Sequence, residues 1–420
     1  MLKNYFQIAW KVYLRRKMFT AINLLCIVLT LAVLLVVTAI LQHLFFPTGV
    51  EGKSERFLQV GQMFATGTGP KGGERTQNSP LGYKIIDQYL RKMKSVEKVA
   101  AVTSFSPVSI YQNDRVTEIS MRRADAEYWE ILDFKVLAGR VPNREDVAQG
   151  RFVAVLNLST AKKLFGDGAV EKNVVGQKLN AGGQQFEVIG VVADEIHINA
   201  YSDMWVPVTT FPSSDYKTQI WGSFAALMLA KSKADLPLIQ SEIQQVATSI
   251  VQDDPSQYQH TYLWANSKLD TFARDILQRR TEVDSGGRTL LIRIGIVMLI
   301  FMVLPALNLV NLNTGRMMER SAEIGIRKAF GASSLTLVGQ FIVENILLSL
   351  FGAVLALICA EAVLMAIAYS GLIPYLNIDL NLAVFAYGSV FAVVFGLLSG
   401  VIPAWKMSRL NPVLALKGVA

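Results

Sequence analysis

The chain is poor in the residues that build chemical sites. It has two cysteines in 420 residues, Cys26 and Cys359. Both fall in long apolar stretches, where they read as small lipid-facing or core-facing side chains. The region between the first two of those stretches has no cysteine, so it must fold on an apolar core without disulfides. At about 240 residues it is long enough to do so, with room for two subdomains. There are three histidines, His43, His197 and His260. None stands beside a metal-type neighbour at short spacing. Asp194 and Glu195 beside His197 read as the end of a strand entering a polar turn. The Gly-x-Ser-x-Gly elbow of serine hydrolases does not occur. The Gly-x-x-x-x-Gly-Lys-Ser/Thr loop is also missing, which excludes ATP hydrolysis by a P-loop within these residues. Gly67–Gly73, GTGPKGG, has the glycine content of a phosphate loop without its ending, and reads as a flexible linker. Charged residues make up 18% of the chain. No basic and aromatic face of the kind that binds nucleic acid is visible.

Apolar residues are plentiful. The chain is 52% hydrophobic, with a mean hydropathy of +0.35. Four stretches can each cross about 30 Å of hydrocarbon, which takes roughly 20 helical residues. They are Met18–Phe46, Thr289–Leu312, Leu335–Ala368 and Leu382–Trp405. The first is too long for a cleavable signal peptide and is followed by no small-x-small cleavage site. The first and third exceed a simple span, which implies tilt or extension beyond the bilayer. Basic residues orient the spans. Lys3, Lys11, Arg15, Arg16 and Lys17 precede the first, and Arg316, Arg320, Arg327 and Lys328 separate the second from the third. Lys406, Arg409 and Lys417 follow the fourth, whereas the loop Gly371–Asn381 has Asp379 and no base. All three basic segments therefore belong in the cytoplasm, and residues 47–288 outside it. The net charge of +8 follows in part from this topology. The expected fold class is a membrane protein with four transmembrane helices and an α+β extracytoplasmic domain.

That domain shows an internal echo. Arg56–Met63 reads as a strand, and Leu81–Lys94 as a helix capped by Ser79 with Pro80 in its first turn. Lys98–Ser104 reads as a second strand. The order returns near the end. Phe224–Ala230 is a strand, and Asp235–Val251 is a helix with Leu236, Ile239, Ile243, Val246 and Ile250 at helical spacing. His260–Ala265 is the closing strand. Two such β-α-β units can pair into one α+β sandwich around an inserted, strand-rich part. The insert holds strands at Phe152–Leu156, Gln185–Val192 and Met204–Val208, broken by Gly182-Gly183 and Asn199. Lys268–Asp284, with Leu269, Phe272, Ile276 and Arg279 at helical spacing, reads as a stalk into the second span, jointed at Gly286-Gly287.

The most informative segment is Arg316–Ser334, RMMERSAEIGIRKAFGASS. It mixes Arg316, Glu319, Arg320, Glu323, Arg327 and Lys328 with Ile324, Ile326, Ala329 and Phe330. Glu323 precedes Arg327 by four residues, a spacing and orientation that support a helix. Gly331 suits a left-handed cap after the basic last turn. The result is a short amphipathic helix at the membrane surface, either merely interfacial or a receiver for a partner. Gly325 between Ile324 and Ile326 would allow close backbone approach. Asn311 and Asn313 are placed to cap its start. Glu344 and Glu361 lie inside the third stretch. Intramembrane acids are functional candidates by default, with snorkelling or pairing between helices as the plainer account.

EIGIRKAFGAS, followed by a span opening at Gln340-Phe341 with Glu344, resembles the signature of MacB/FtsX-type ABC transporter permeases. Three further stretches agree, in the same order. FQIAWKVYLRRKMFTAINLLCIVLTLAV is similar to the basic amphipathic helix and first span of that family. FKVLAGRVPNRED, VAVLNLSTAKKLFG, VVGQKL and FEVIGVVAD are similar to its extracytoplasmic core domain. IPAWKMSRLNPVLALKG is similar to its tail. The resemblance implies a cytoplasmic amphipathic helix over 1–17 and a MacB-like core domain over 47–288. Within that domain it implies Porter-like parts at about 50–110 and 220–267, a Sabre-like part at 111–219 and a stalk at 268–288. It implies a coupling helix over 313–334 and a cytoplasmic tail over 406–420. Glu319, Glu323, Ile324, Gly325, Ile326, Arg327, Lys328 and Gly331 would then meet a cytoplasmic ABC ATPase dimer, which binds ATP and Mg. The chain lacks an ATPase motif, and no cofactor of its own is expected. The remaining partners would be a second permease copy or a homologous permease, and an extracytoplasmic adaptor. The implied function is mechanical transmission of ATP hydrolysis for efflux or extraction. The alternative is an FtsX-like transmitter that moves no substrate and regulates an exterior enzyme. A membrane sensor independent of ATP is a third, weaker class.

Overall fold

The computed structural model describes residues 17–45, 49–69, 72–112, 115–168, 174–319, 326, 330, 333–370 and 382–408. The chain divides into two compact units. One comprises Met1–Gln42 with Leu291–Ala420, and the other is His43–Leu290.

The chain order begins with helix α1 (Lys17–Phe45), then strands β1 (Phe57–Val60), β2 (Met63–Thr68) and β3 (Glu74–Ser79), helix α2 (Tyr83–Gln88), β4 (Val96–Thr103), β5 (Ser106–Gln112) and β6 (Arg115–Ala124). It continues through α3 (Ala126–Ile131), β7 (Val136–Gly139), α4 (Arg144–Ala148), β8 (Val153–Asn157), α5 (Leu158–Phe165), β9 (Lys178–Ala181), β10 (Gln184–Val192) and β11 (Met204–Pro207). It closes the unit with β12 (Phe224–Ala230), α6 (Leu236–Ser249), β13 (His260–Leu263) and α7 (Lys268–Leu277).

The two halves of the echo interleave. Strand β12, from the second half, lies between β1 and β4 of the first and is antiparallel to both. Strand β13 leaves this sheet and pairs with β2 in a separate three-stranded sheet, β13-β2-β3. The alternation of side chains explains why β12, and β4 from Val99 to Val102, are apolar without a break. Phe224, Ala226 and Met228 face a core with Leu58, Ile85, Leu90, Ile239 and Ile243 beneath α2 and α6. Leu227 and Leu229 face the opposite core with Tyr128, Ile131 and Trp205. A strand covered on both faces carries no polar alternation. Helix α6 buries Ile239, Ile243 and Ala247 at four-residue intervals.

The insert is a closed barrel. Its strands run β5-β6-β11-β8-β10-β9, and β9 returns to pair with β5. Closure leaves no open edge in this part. Ile110, Met121, Leu156, Phe186, Val188, Val191 and Met204 form its core. A single register pair, Val102↔Ala124, joins it to β4. Strand β10 switches partner along its length, from β9 to β7. The switch needs Gly139 and Gly190. A Cβ on either would stand 2.1 Å from a backbone carbonyl oxygen, that of Ile189 or Arg140.

Three local expectations are corrected. Ser79 does not cap a helix over Leu81–Lys94, because it ends β3 and α2 starts only at Tyr83. The chain at Leu81-Gly82 is held instead by backbone bonds to Phe224 and Ile220, which delays the helix. The described glycines Gly67, Gly69, Gly72 and Gly73 belong to the end of a hairpin, not to a linker, while residues 70–71 lie outside the described residues. Gly67 pairs with Arg75, and the Gly69 amide donates to the Gly73 carbonyl at 2.8 Å. The stalk stops at Leu277, where Gln278 takes φ 55°. The buried Arg274 guanidinium donates to the carbonyls of Arg279 and Glu282, each at 2.7 Å. It also lies 4.6 Å over the Trp264 ring. These contacts fold residues 279–283 into a bound turn in place of helix. Gly286, with φ 79°, then marks the joint that precedes the next helix.

The second unit is helical. It holds most of α1 together with α8 (Gly287–Glu319), α9 (Ser334–Ser370) and α10 (Leu382–Ser408). Even the 27 residues of α10 extend about 40 Å at 1.5 Å per residue. Thr20–His43 and Val338–Ser370 are long and apolar enough to cross a membrane, with mean hydropathies of 3.2 and 2.5. Ile27, Leu31, Leu35, Met302, Ala306, Ala356, Ala360, Ala392 and Phe395 form the shared core. Small residues set the crossings. A Cβ on Gly352 would fall 2.5 Å from Ile27 Cγ2, and one on Gly388 2.7 Å from Leu35 Cδ2. Helix α8 does not end at Leu312 but runs to Glu319. Asn311 and Asn313 therefore lie in its body and cap nothing. Residues 306–319 include neither glycine nor proline before Gly315, and the Thr314 hydroxyl is taken up by the Val310 carbonyl at 2.7 Å.

Candidate functional site

The segment expected over 313–334 begins inside α8. Glu319 is its last helical residue. Glu323, Ile324, Gly325, Arg327, Lys328 and Gly331 lie outside the described residues. Two apolar positions of the segment are described. Ile326 is 47% and Phe330 89% exposed, and the Phe330 amide donates to the Ile326 carbonyl at 3.0 Å. That i to i+4 bond is helical, so the two side chains share one face, one turn apart. The segment then stops, because Ser333 opens α9. Its hydroxyl accepts the Thr336 amide at 3.2 Å, an N-cap contact.

The acids of the third apolar stretch differ in setting. Glu344 is buried at 7% exposure, as is Gln340 one turn earlier and Ser349 beyond. Glu361 is half-buried. Burial places Glu344 inside the helical unit.

In the His43–Leu290 unit the histidines that sequence spacing separates are brought together. The His43 and His197 rings lie 4.4 Å apart, and His197 Nδ1 is 3.0 Å from Glu195 Oε2. Asp194 points elsewhere. Its carboxylate accepts the Ser159 amide and hydroxyl at the start of α5. Among the described residues no group of three or more His, Cys, Asp or Glu side chains could hold a metal. His260 sits on β13, at the edge of the three-stranded sheet.

Beside these rings is a buried ion pair that spacing cannot reveal. Lys268 Nζ donates to Glu51, with the lysine side chain 7% and the glutamate side chain 0% exposed. Asn199 Nδ2 donates to the second Glu51 oxygen at 2.9 Å. Arg122 and Tyr128 in turn donate to the Asn199 carbonyl, at 3.0 and 2.8 Å. Glu51 lies just after the chain enters this unit, and Lys268 opens the last helix before it leaves, 217 residues later. The pair therefore ties the way in to the way out. By sequence Lys268 reads only as the start of a stalk, and Glu51 carries no local signal. Elsewhere, Asp146 caps α4 in a capping box with Asn143. The Arg140 guanidinium, with help from Asn143 and Arg151, holds its carboxyl down at about 2.

One unit is a set of long apolar helices and the other a mixed sheet and barrel closed by a buried ion pair, an arrangement that suits a membrane permease with a large appended domain. Comparison with known families agrees. Residues 20–246 match the MacB-like periplasmic core domain, and residues 295–412 match the FtsX-like permease C-terminal domain. The chain belongs to this MacB/FtsX-type family of ABC transporter permeases. It is 24% identical over 358 residues to the macrolide export ATP-binding/permease protein MacB of Mannheimia succiniciproducens, covering 84% of this chain and 51% of that one. It is 20% identical over 368 residues to the uncharacterized ABC transporter permease YvrN of Bacillus subtilis, covering 83% and 84%. The chain spans about half the length of the MacB relatives it matches. The crystal structure of the periplasmic region of MacB from Actinobacillus actinomycetemcomitans aligns over 54% of this chain and 95% of its own, at 18% identity and a TM-score of 0.37.

Proposed function

We propose that this chain is the membrane subunit of an ABC exporter, transmitting ATP hydrolysis on a separate ATPase subunit to the 47–288 domain. The observation that carries this reading is the Glu51–Lys268 pair. It closes the two chain connections of the domain on each other, so a shift of either connection moves both. Arg274 and Trp264 add stiffness after Lys268 by binding residues 279–283. Such a neck suits force transmission, whereas a loose tether would dissipate it.

In this reading the four long helices span the bacterial inner membrane, with both termini in the cytoplasm and the domain on the periplasmic side. The ATPase dimer, with its ATP and Mg, docks on Glu319–Gly331. Ile326 and Phe330 serve as apolar anchors, with Glu323, Arg327 and Lys328 as charged contacts. A second permease copy or a homologous permease completes the complex, and a periplasmic adaptor receives the substrate. Relatives named for macrolide, pyoverdine and syringafactin export favour export of a substrate over a purely regulatory role.

The test is Arg327→Glu with Lys328→Glu, and separately Gly325→Glu. Charge reversal in a desolvated contact should weaken association by about 2–5 kcal/mol. Both variants should remain inserted and dimeric yet lose capture of the ATPase and stimulation of its turnover. Wild-type capture and turnover in both would reduce the segment to an interfacial helix and remove the coupling reading.

A further inference from the structure

The last helix of the His43–Leu290 unit carries an apolar face that the fold leaves open. In α7, Leu269, Phe272 and Ile276 stand at i, i+3 and i+7, so they share one side. Leu269 is half-buried, while Phe272 is 45% and Ile276 52% exposed. Val283, in the turn that follows, is 82% exposed. Elsewhere around the helix, Lys268, Ala273 and Arg274 are buried and hold it to the domain. Phe45, the last residue of α1, meets the Phe272 ring at 5.6 Å.

Two observations say what covers this face. The first is length. Helix α1 has 29 residues and extends about 43 Å at 1.5 Å per residue, and a bilayer with its headgroups is about 40–45 Å thick. Lys17 opens α1 directly after Arg15 and Arg16, a basic end that belongs at the cytoplasmic surface. Phe45, at the other end, then falls in the outer headgroup layer, and Phe272 with it. The second is charge. Arg279 takes Glu282 and Asp284 as partners. Arg280, four residues after Ile276, and Arg288, in the first turn of α8, are both exposed. Among the described residues neither has a carboxylate within ion-pair distance, and Arg280 donates only to Gln278. Asp275 is exposed, but it stands about 100° around the helix from Ile276. A second copy in a two-fold contact would return the same arginines to this surface, whereas anionic lipid supplies the missing charge.

We infer that α7 lies on the extracytoplasmic leaflet of the membrane and binds anionic phospholipid. Leu269, Phe272, Ile276 and Val283 sit at the boundary of headgroups and acyl chains, and Arg280 and Arg288 meet the lipid phosphates. The planar guanidinium fork suits a phosphate at two points. The inference rests on the reading that α1 crosses the membrane with this domain outside.

The experiment uses the full chain in lipid nanodiscs, with Cys26 and Cys359 replaced and a single cysteine carrying a bimane label. Ile276→Cys probes the face. Val33→Cys, at an exposed position of α1, reports whether that helix lies in lipid, and Tyr111→Cys, at an exposed apolar position of the barrel, reports exposure alone. With lipid carrying a nitroxide high on the acyl chain, quenching at Ile276 should exceed that at Tyr111 by about twofold or more, because an interfacial helix buries its apolar face among the headgroups. Replacing part of the phosphatidylcholine by phosphatidylglycerol should raise quenching at Ile276, and Arg280→Gln with Arg288→Gln should remove that rise. Quenching at Val33 but not at Ile276 would overturn the inference and leave the spanning reading intact. No quenching at either would overturn both. A label at Ile276 protected from lipid nitroxide and aqueous iodide alike would show that a second copy covers the face, which also overturns the inference. So would a rise with phosphatidylglycerol that survives loss of both arginines.

Discussion

Lys268→Met is the most informative single change in the neck. It keeps the length of the side chain and its packing but deletes the ammonium. Glu51, whose side chain is 0% exposed, is left, among the described residues, with only the Asn199 amide at 2.9 Å. Removing one partner of a buried pair costs about 3–5 kcal/mol, because the other charge stays buried without compensation. For a unit of this size each kcal/mol shifts the melting temperature by roughly 2–4 °C. Unfolding of the His43–Leu290 unit should therefore fall by roughly 6–20 °C, measured by scanning fluorimetry on the full chain in detergent. The double variant Glu51→Gln/Lys268→Met removes both charges and leaves an amide that can still meet Asn199. It should recover to within about 2 kcal/mol of the parent, since replacing both members of such a pair is often close to neutral. The cycle thus separates the cost of an orphaned charge from the worth of the pair. A single variant within about 1 kcal/mol of the parent, with no recovery in the double, would mean that water reaches Glu51 and that the neck is not a dry clamp.

Three further outcomes follow from the same geometry. Asp146 has a folded pKa of about 2 against 3.8 in the unfolded chain, so its contribution is present above pH 4 and is lost as pH falls through 2. The loss should be about 1–2 kcal/mol after allowance for the half-exposed Arg140, seen as an acid-side slope in urea unfolding that Asp146→Asn removes. Gly352→Val should destabilise the helical unit by about 1–3 kcal/mol through overpacking against Ile27, and Ile27→Ala should restore part of the loss in melting temperature; no effect of either change would contradict the close crossing. With Cys26 and Cys359 replaced, a cysteine at Gly72 should react with an impermeant maleimide in intact spheroplasts and one at Ser333 should not; equal labelling would refute the topology.

Much of this protein is decided locally. The long apolar helices need only length and hydropathy, and α9 and α10 lie within a few residues of where those quantities place them. Strand β12 and helix α6 are legible for the same reason, since a buried run between turns and a four-residue apolar repeat are properties of neighbours in sequence. The exposed pair Ile326 and Phe330 follows from the helical pattern of the coupling segment. What sequence alone leaves undecided is every relation between distant residues. The insertion of β12 between β1 and β4, the departure of β13 to another sheet and the closure of β9 onto β5 depend on which edges remain open once the cores form. Glycine content at Gly67–Gly73 suits a linker as well as a hairpin, and only pairing with Arg75 distinguishes them. The stalk ends at Leu277 because Arg274 finds backbone carbonyls that periodicity does not record. Nothing local in the sequence pairs Glu51 with Lys268, because burial, which alone makes their attraction strong, is a property of the assembled unit rather than of either residue.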